Sequence, residues 1–347
     1  MLPFFEVSGN PYEMGLQIGA LAKKMIRAGV EFYESHWKKL NGAAFGKHLA
    51  LIEPCFSLTA KLLPKTFEEL RGIADGSGVL FKNLFLINSM EMIGVFRSRE
   101  RCTSILVSSS KSATGSCLIA HNEDWISADG RLVYILRCRP VGEPAFLAFT
   151  YGAWIPQYGV NADGLALVAD SNTSKDRRVG LSQTLIGRDI LRCNTVSQAV
   201  RRIRLLPRSD GHSYVFALPT EGMILETTAT ETATLSLTSR TPIRVHANDY
   251  QAKKTATLEL QQDRSYSKYR RERVFELLGE KKGLITKDDL IITLSDHERA
   301  PKSVCAHKNH QTDEETIAKL IIDPAARTLE VWPHRSCESK AERFTLK

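Results

Sequence analysis

The stretch Ser98-Arg99-Glu100-Arg101-Cys102-Thr103-Ser104-Ile105 marks a change of texture in this 347-residue chain. Before it, apolar residues recur at helical spacing. Ile18, Leu21, Ala22, Met25, Ile26 and Val30 follow the i, i+3, i+4, i+7 pattern within residues 11–35, as expected of one buried helix face. Asn10-Pro11 reads as the start, with Asn as cap and Pro in the first turn. Further helices are expected at about 49–63, stopped by Pro64; at about 66–74, ended by Gly76-Ser77-Gly78; and at 81–92. After the stretch, short apolar runs alternate with turn residues: 103–108, 116–121, 132–138, 145–151, 164–169, 213–218, 223–228, 316–322 and 328–332. Short strands on tight turns imply antiparallel sheet. Helices return at about 182–204 and 266–279. Blocks of helices and blocks of strands, rather than alternating βαβ units, predict an α+β fold in layers.

Cys102 heads the first strand after the switch, and the next strand runs into His121-Asn122-Glu123-Asp124-Trp125. Paired as a hairpin, the start of one strand lies beside the end of the other. Cys102 then neighbours the polar group His121 to Asp124, a setting in which a thiol nucleophile can be built. A free cysteine taken alone is more often a small buried apolar residue.

Composition excludes several classes. Apolar residues make up 43% and charged residues 25%, enough for a core and typical of a globular chain. The net charge of +8 is modest at this length, and its densest basic stretch, Arg264 to Arg273, reads as a solvated helix face. No nucleic-acid-binding motif accompanies it, so nucleic acid is not an expected partner. The seven cysteines are scattered without a CxxC pair, which fits a reducing compartment rather than a disulfide framework. The N-terminal residues lack the form of a signal peptide, and no apolar run is long enough to span a bilayer. The expectation is a cytoplasmic protein away from membranes.

Seven segments bear on function. Asn10-Pro11-Tyr12-Glu13-Met14-Gly15 with Gly19, the pair Cys102-Thr103, and Asn122-Glu123-Asp124-Trp125 appear in order. Gly159-Val160-Asn161-Ala162-Asp163-Gly164 precedes Asn172, His246-Ala247-Asn248-Asp249-Tyr250 follows, and then come Ser267, Arg270 and Arg273, and Ser303-Val304-Cys305-Ala306-His307. In this order they resemble the penicillin acyltransferase family (isopenicillin N acyltransferase-like). The resemblance implies an N-terminal-nucleophile (Ntn) hydrolase, an αββα sandwich of two antiparallel sheets, that cuts its own chain between Arg101 and Cys102. It implies a helical α segment, 1–101, and a catalytic β segment, 102–347, together forming one domain. Cys102 is then the nucleophile, its freed α-amine the base, Asp124 the group that holds the amine, and Asn248 and Asn172 the oxyanion donors. His121 and Ser303 are expected to line the substrate site, and Arg270 or Arg273 to meet a substrate carboxylate or a coenzyme A phosphate. The implied substrate is a small-molecule amide or acyl donor, acyl-coenzyme A among the candidates, with no cofactor and no metal. Arg101, where the family's fungal acyltransferase has glycine, and Asp249, where the family has histidine, depart from the pattern.

Two other classes are open from sequence. A zinc-dependent hydrolase would use His307 and His310 with His297 and His246, although no H-E-x-x-H motif is present. A non-enzymatic binding module would leave the chain uncut and use the basic helix as its surface.

Overall fold

The computed structural model describes residues 1–93, 102–260, 263–279, 281, 283–310, 312–334 and 336–347. In chain order the elements are β1 (Phe4–Gly9), α1 (Pro11–Leu21), α2 (Lys23–Asn41), α3 (Leu49–Leu62), α4 (Pro64–Ser77), α5 (Phe81–Ile87), β2 (Thr103–Val107), β3 (Leu118–Ile126), β4 (Val133–Pro140), β5 (Phe146–Tyr151), β6 (Tyr158–Asn161), β7 (Ala166–Asn172), α6 (Gln183–Ile190), α7 (Val196–Leu205), β8 (Gly211–Ala217), β9 (Gly222–Thr227), β10 (Thr232–Ser236), β11 (Ile243–His246), α8 (Lys253–Ala256), α9 (Ser265–Gly279), α10 (Lys287–Leu294), β12 (Glu314–Asp323), β13 (Thr328–Pro333) and β14 (Glu342–Thr345). They form an eight-stranded sheet, β1-β4-β5-β6-β7-β8-β9-β10, and a six-stranded sheet, β11-β2-β3-β12-β13-β14.

Every strand pair described is antiparallel except β1 with β4, which is parallel. The helical block α1–α5 intervenes between those two strands, and parallel neighbours need such a crossover. The sheets face one another, with β2 and β3 of the smaller against β7 and β8 of the larger. Helices α1 and α2 cover the larger sheet, and α9 and α10 the smaller. The result is the expected α+β arrangement of four layers, αββα. Strands β2, β5, β8 and β12 are buried along their whole length, because each is covered on both faces, so that even polar side chains such as Ser104, Thr316 and Lys319 are out of water. One apolar core runs from Val7 to Leu346 and joins residues before and after Cys102.

Helix α1 begins as predicted. Asn10 Oδ1 accepts from the Glu13 N–H, and the Glu13 carboxylate accepts from the Asn10 N–H, a reciprocal cap. The apolar pattern at 11–35 is split in two, α1 breaking from α2 at Ala22. As expected, a helix ends just before Pro64, α3 closing at Leu62, and Pro64 also opens the next one. Gly76 lies inside α4, which ends at Gly78 in the left-handed conformation. The reason is packing. A Cβ on Gly15 would sit 2.0 Å from the Glu69 carbonyl, one on Gly72 2.2 Å from the Tyr12 carbonyl, and one on Gly76 2.2 Å from the Leu16 carbonyl. Backbone meets backbone where α1 crosses α4. Helix propensity alone makes Gly→Ala favourable by about 1 kcal/mol. At Gly72 the sign should reverse, with a loss of about 1–3 kcal/mol from overpacking. Urea unfolding of Gly72→Ala checks this, and a stabilised variant would show that the two helices can move apart.

Candidate active site

Strands β2 and β3 form the expected hairpin, with Thr103 opposite Asn122 and Ser104 opposite His121. That register carries Cys102 level with Glu123. Successive side chains of a strand point to opposite faces, and β3 divides its polar group accordingly. Asn122 turns to the α10 side, where its Nδ2 donates to the Leu294 and Val304 carbonyls. Asp124 shares that face and accepts from Thr316 Oγ1 at 2.5 Å. His121, Glu123 and Trp125 take the other face. The carboxylate nearest the sulfur is therefore that of Glu123, with Cys102 Sγ 4.0 Å from Glu123 Oε2 and 3.9 Å from the main-chain carbonyl of Asp124. Burial first, then the charges of Glu123, Asp170 and Asp124, push the Cys102 thiol well above its usual range. A thiol so placed keeps its proton until a base removes it.

Behind Glu123 lies a buried chain of alternating charge. Glu123 Oε1 accepts from the Tyr151 hydroxyl at 2.7 Å, and Oε2 faces His121 Nε2 at 2.9 Å. Ser104 Oγ gives its single proton to Asp170 Oδ1 at 2.9 Å, so its 2.8 Å contact with His121 Nδ1 must use an imidazole N–H. Both His121 nitrogens then donate, and the ring is an imidazolium. Burial works against that charge, but Glu123, Asp170 and Asp124 outweigh it and raise the His121 pKa.

Asp170 Oδ2 is 3.4 Å from His246 Nδ1, and His246 Nε2 is 3.1 Å from Glu226 Oε1. Burial lowers the pKa of His246, yet the two carboxylates push it up to about 10, from an ordinary 6.5. A raised histidine adds stability that is complete below its unfolded pKa and disappears as pH rises through its folded one. Stability of the wild type should therefore fall between about pH 6.5 and 10, and His246→Gln should flatten that slope. Urea titrations at about pH 6, 8 and 10 test it. Equal slopes in the two proteins would mean that His246 is not held protonated.

Arg270 is fully buried. Its Nη1 donates to the Cys102 carbonyl at 2.5 Å and to Thr103 Oγ1 at 2.9 Å, and its Nη2 to Asn248 Oδ1 at 2.7 Å. The guanidinium also lies 4.5 Å from the centre of the Tyr266 ring. It is thus committed to the main chain of Cys102 rather than to a solvated face. Asn248 Nδ2 donates to the Ser171 carbonyl at 2.9 Å. Asn172 Oδ1 accepts from Ser213 Oγ at 2.8 Å, while its Nδ2 is a buried donor with no hydrogen-bond partner. Arg273 is engaged by Asp296 through a two-bond fork, 3.2 and 2.8 Å. Asp249, at the family's histidine position, forms a similar fork with Arg271, at 3.0 and 2.6 Å. Ser303 Oγ donates to the Cys305 carbonyl at 2.6 Å, and its own carbonyl accepts from Tyr266. Arg101 lies outside the described residues. The four histidines of the zinc-hydrolase reading do not converge. His246 belongs to the interior chain, whereas His297 and His307 meet far along the sequence with cysteines, and His310 is exposed.

Cys102 opens on a cavity of about 490 Å³ including its mouth. Aromatic walls come from Trp125, Tyr151, Trp154 and Tyr158, and a polar end from Glu91 and His212. Burial raises the Glu91 pKa to about 8 and lowers that of His212 to about 3. At neutral pH both are therefore largely uncharged.

A thiol at a strand terminus between two facing sheets, supported by buried carboxylates, defines a layered α+β enzyme of the hydrolase/acyltransferase class. The model of the acyl-coenzyme A:6-aminopenicillanic acid acyl-transferase family matches residues 111–336, and the chain belongs to that family of Ntn enzymes, which act on carbon–nitrogen amide bonds. Among solved structures, penicillin V acylase from Agrobacterium tumefaciens is 12% identical, with TM-score 0.48 over 71% of this chain and 86% of that one. A variant of conjugated bile acid hydrolase from Clostridium perfringens is 9% identical, with TM-score 0.47 over 71% and 97%. Among the described residues no helix is long and apolar enough to cross a membrane.

Proposed function

We propose that the chain is a self-processing cysteine amidohydrolase or acyltransferase. Cleavage of the Arg101–Cys102 bond frees Cys102 and leaves an α segment, 1–101, bound to a β segment, 102–347. The observation that carries this reading is the position of Cys102. Its sulfur faces an aromatic cavity beside Glu123 and its carbonyl is gripped by Arg270. The freed α-amine, which titrates near 8 in an unperturbed chain, takes the thiol proton as Sγ attacks the substrate carbonyl. Asp124 holds that amine. The tetrahedral oxyanion is met by amide donors, and the unpartnered Nδ2 of Asn172 favours it over Asn248, whose Nδ2 is already engaged. Collapse expels the amine half, which leaves with the proton, and the acyl group stays on sulfur as a thioester. Water then releases an acid, or a second amine takes the acyl group as a new amide.

The cavity walls support a linear amide with an apolar or aromatic acyl group. The largely neutral polar end disfavours a second carboxylate there. Cytoplasmic location and a small-molecule acyl donor such as acyl-coenzyme A complete the proposal. The test is a panel of N-acyl amino acids, acyl amines and acyl thioesters, with the mass of the β segment read during turnover. An acyl increment on the peptide beginning at Cys102 is expected. Full turnover by an uncut chain would overturn the N-terminal-amine mechanism.

A further inference from the structure

Far from Cys102 in sequence, four side chains converge on one point: His297, Cys305, His307 and Cys337. They come from the loop after α10, the segment leading to β12, and the turn after β13. Their ligating atoms all lie within 4.8 Å of one another. His307 Nε2 is 2.9 Å from His297 Nε2, 3.5 Å from Cys337 Sγ and 3.9 Å from Cys305 Sγ. One imidazole nitrogen has either a single lone pair or a single N–H. It can satisfy one of these three neighbours, not all of them. A cation at the centre takes a lone pair from each of the four.

We propose that this cluster is a structural metal site that binds a zinc ion. Zinc at about 2.0–2.1 Å from nitrogen and about 2.3 Å from sulfur, in a tetrahedron, sets N···N near 3.3 Å, N···S near 3.6 Å and S···S near 3.8 Å. The two observed N···S separations, 3.5 and 3.9 Å, bracket that value, the N···N separation of 2.9 Å widens by about 0.4 Å on binding, and every ligand atom already lies within 4.8 Å of the others. Two thiolates and two neutral imidazoles balance the dication, and the two thiol protons leave to solvent on binding. Four protein ligands close the coordination sphere, which makes the site structural rather than catalytic. It therefore differs from a zinc hydrolase built on His307 and His310, and it revises the expectation that the chain holds no metal. The half-exposed Cys337 and exposed His297 leave the ion a way in.

The site has a line to the catalytic strand. Cys305 precedes Ala306, whose N–H donates to Thr316 Oγ1 and whose carbonyl accepts from the Thr316 N–H, both at 2.9 Å. Thr316 Oγ1 in turn donates to Asp124. Fixing Cys305 fixes the loop that orients that carboxylate.

A second group of potential ligands, Cys102, His121 and Glu123, has to be distinguished. The measurement is zinc per full-length chain by elemental analysis after exhaustive dialysis, in wild type, Cys102→Ala, Cys305→Ser and Cys337→Ser, with folding followed by circular dichroism. About one zinc per chain is expected in the first two, and less than a tenth of that in folded Cys337→Ser. Cobalt(II) added to the metal-free wild type should give the intense visible bands and sulfur charge transfer of a tetrahedral thiolate site. The proposal fails if the wild type holds no zinc and cobalt binds only as the pale octahedral ion. It fails equally if Cys305 and Cys337 are recovered as a disulfide, or if Cys102→Ala alone removes the metal.

Discussion

Cys102→Ala should be recovered as one uncut chain, whereas the wild type should separate under denaturing conditions into segments 1–101 and 102–347. Self-cleavage before Cys102 requires its sulfur to attack the preceding carbonyl, forming a thioester that water opens. Alanine offers no nucleophile for either that step or substrate attack. Amide turnover should fall by at least about a thousandfold, leaving what binding and oxyanion donors supply without covalent catalysis. Folding should survive, because the removed sulfur is one small buried atom at the rim of a cavity. Cys102→Ser supplies the control: a hydroxyl in the same place can cut the chain, but slowly, since it is harder to deprotonate. The thiol itself is held protonated by burial and by Glu123, so the precursor also needs a base, and Glu123 Oε2 at 4.0 Å is the nearest carboxylate oxygen described. Intact mass at successive times reads all three proteins. An alanine variant that still yields the two segments would remove Cys102 from the cleavage. Without denaturant the segments should co-elute, because Val7, Met14 and Ile18 share one apolar core with Ile317 and Leu346.

Layering and helix–strand blocks were legible because they rest on periodicity and turn residues, which are local. What local pattern missed has physical reasons. Strand β1 is six residues at a sheet edge, only one of them buried, so it has no apolar run to announce it. Strand β10, Thr-Ala-Thr-Leu-Ser, has no fully buried residue and exposes Thr234, and β14 likewise closes an edge. Strand β6 overlaps the Gly159–Gly164 turn motif. There Asn161 folds the turn, its Oδ1 accepting from the N–H groups of Asp163 and Leu165. Helix α10 did carry a readable signal, the reciprocal cap of Thr286 and Asp289, that apolar spacing did not reveal.

The site divides in the same way. Cys102 and its polar neighbourhood followed from strand order, but the face each residue takes did not. Reading His121 to Trp125 by strand alternation would have set Glu123, not Asp124, beside the sulfur. Ser104, Asp170, His246 and Glu226 could not be assembled locally. They lie on β2, β7, β11 and β9, strands of two sheets that meet only in the folded interior. The His/Cys cluster spans residues 297 to 337, and only Cys305 and His307 share a short segment. Arg270 shows the reverse error: a basic run on a helix suggested solvent, yet it is spaced three residues from Ser267 and from Arg273, and the helix turns Ser267 and Arg270 inward.

That inward arginine carries the second large effect. Arg270 ties together the Cys102 carbonyl, Thr103 Oγ1, Asn248 Oδ1 and Ser267 Oγ, joining the main chain of Cys102 to the loop after β11. It is a positioning residue, so its loss should act on kcat more than on KM. Arg270→Ala strands several buried acceptors, Asn248 Oδ1 among them, and opens a void. A loss of about 3–5 kcal/mol in stability is expected, from the void and from the buried acceptors left without a donor. Arg270→Lys is the sharper test. It keeps the charge, but a single ammonium on a flexible stem cannot reproduce a planar fork that bonds two acceptors on one nitrogen and two on the other. Stability should be mostly kept, while kcat falls at least about tenfold, equivalent to about 1.4 kcal/mol of transition-state binding. Assaying protein already cleaved keeps slow maturation from being counted as slow turnover. A lysine variant within threefold of wild type in kcat would mean that charge alone is needed, and that the position of the Cys102 carbonyl is set by the strand rather than by the arginine.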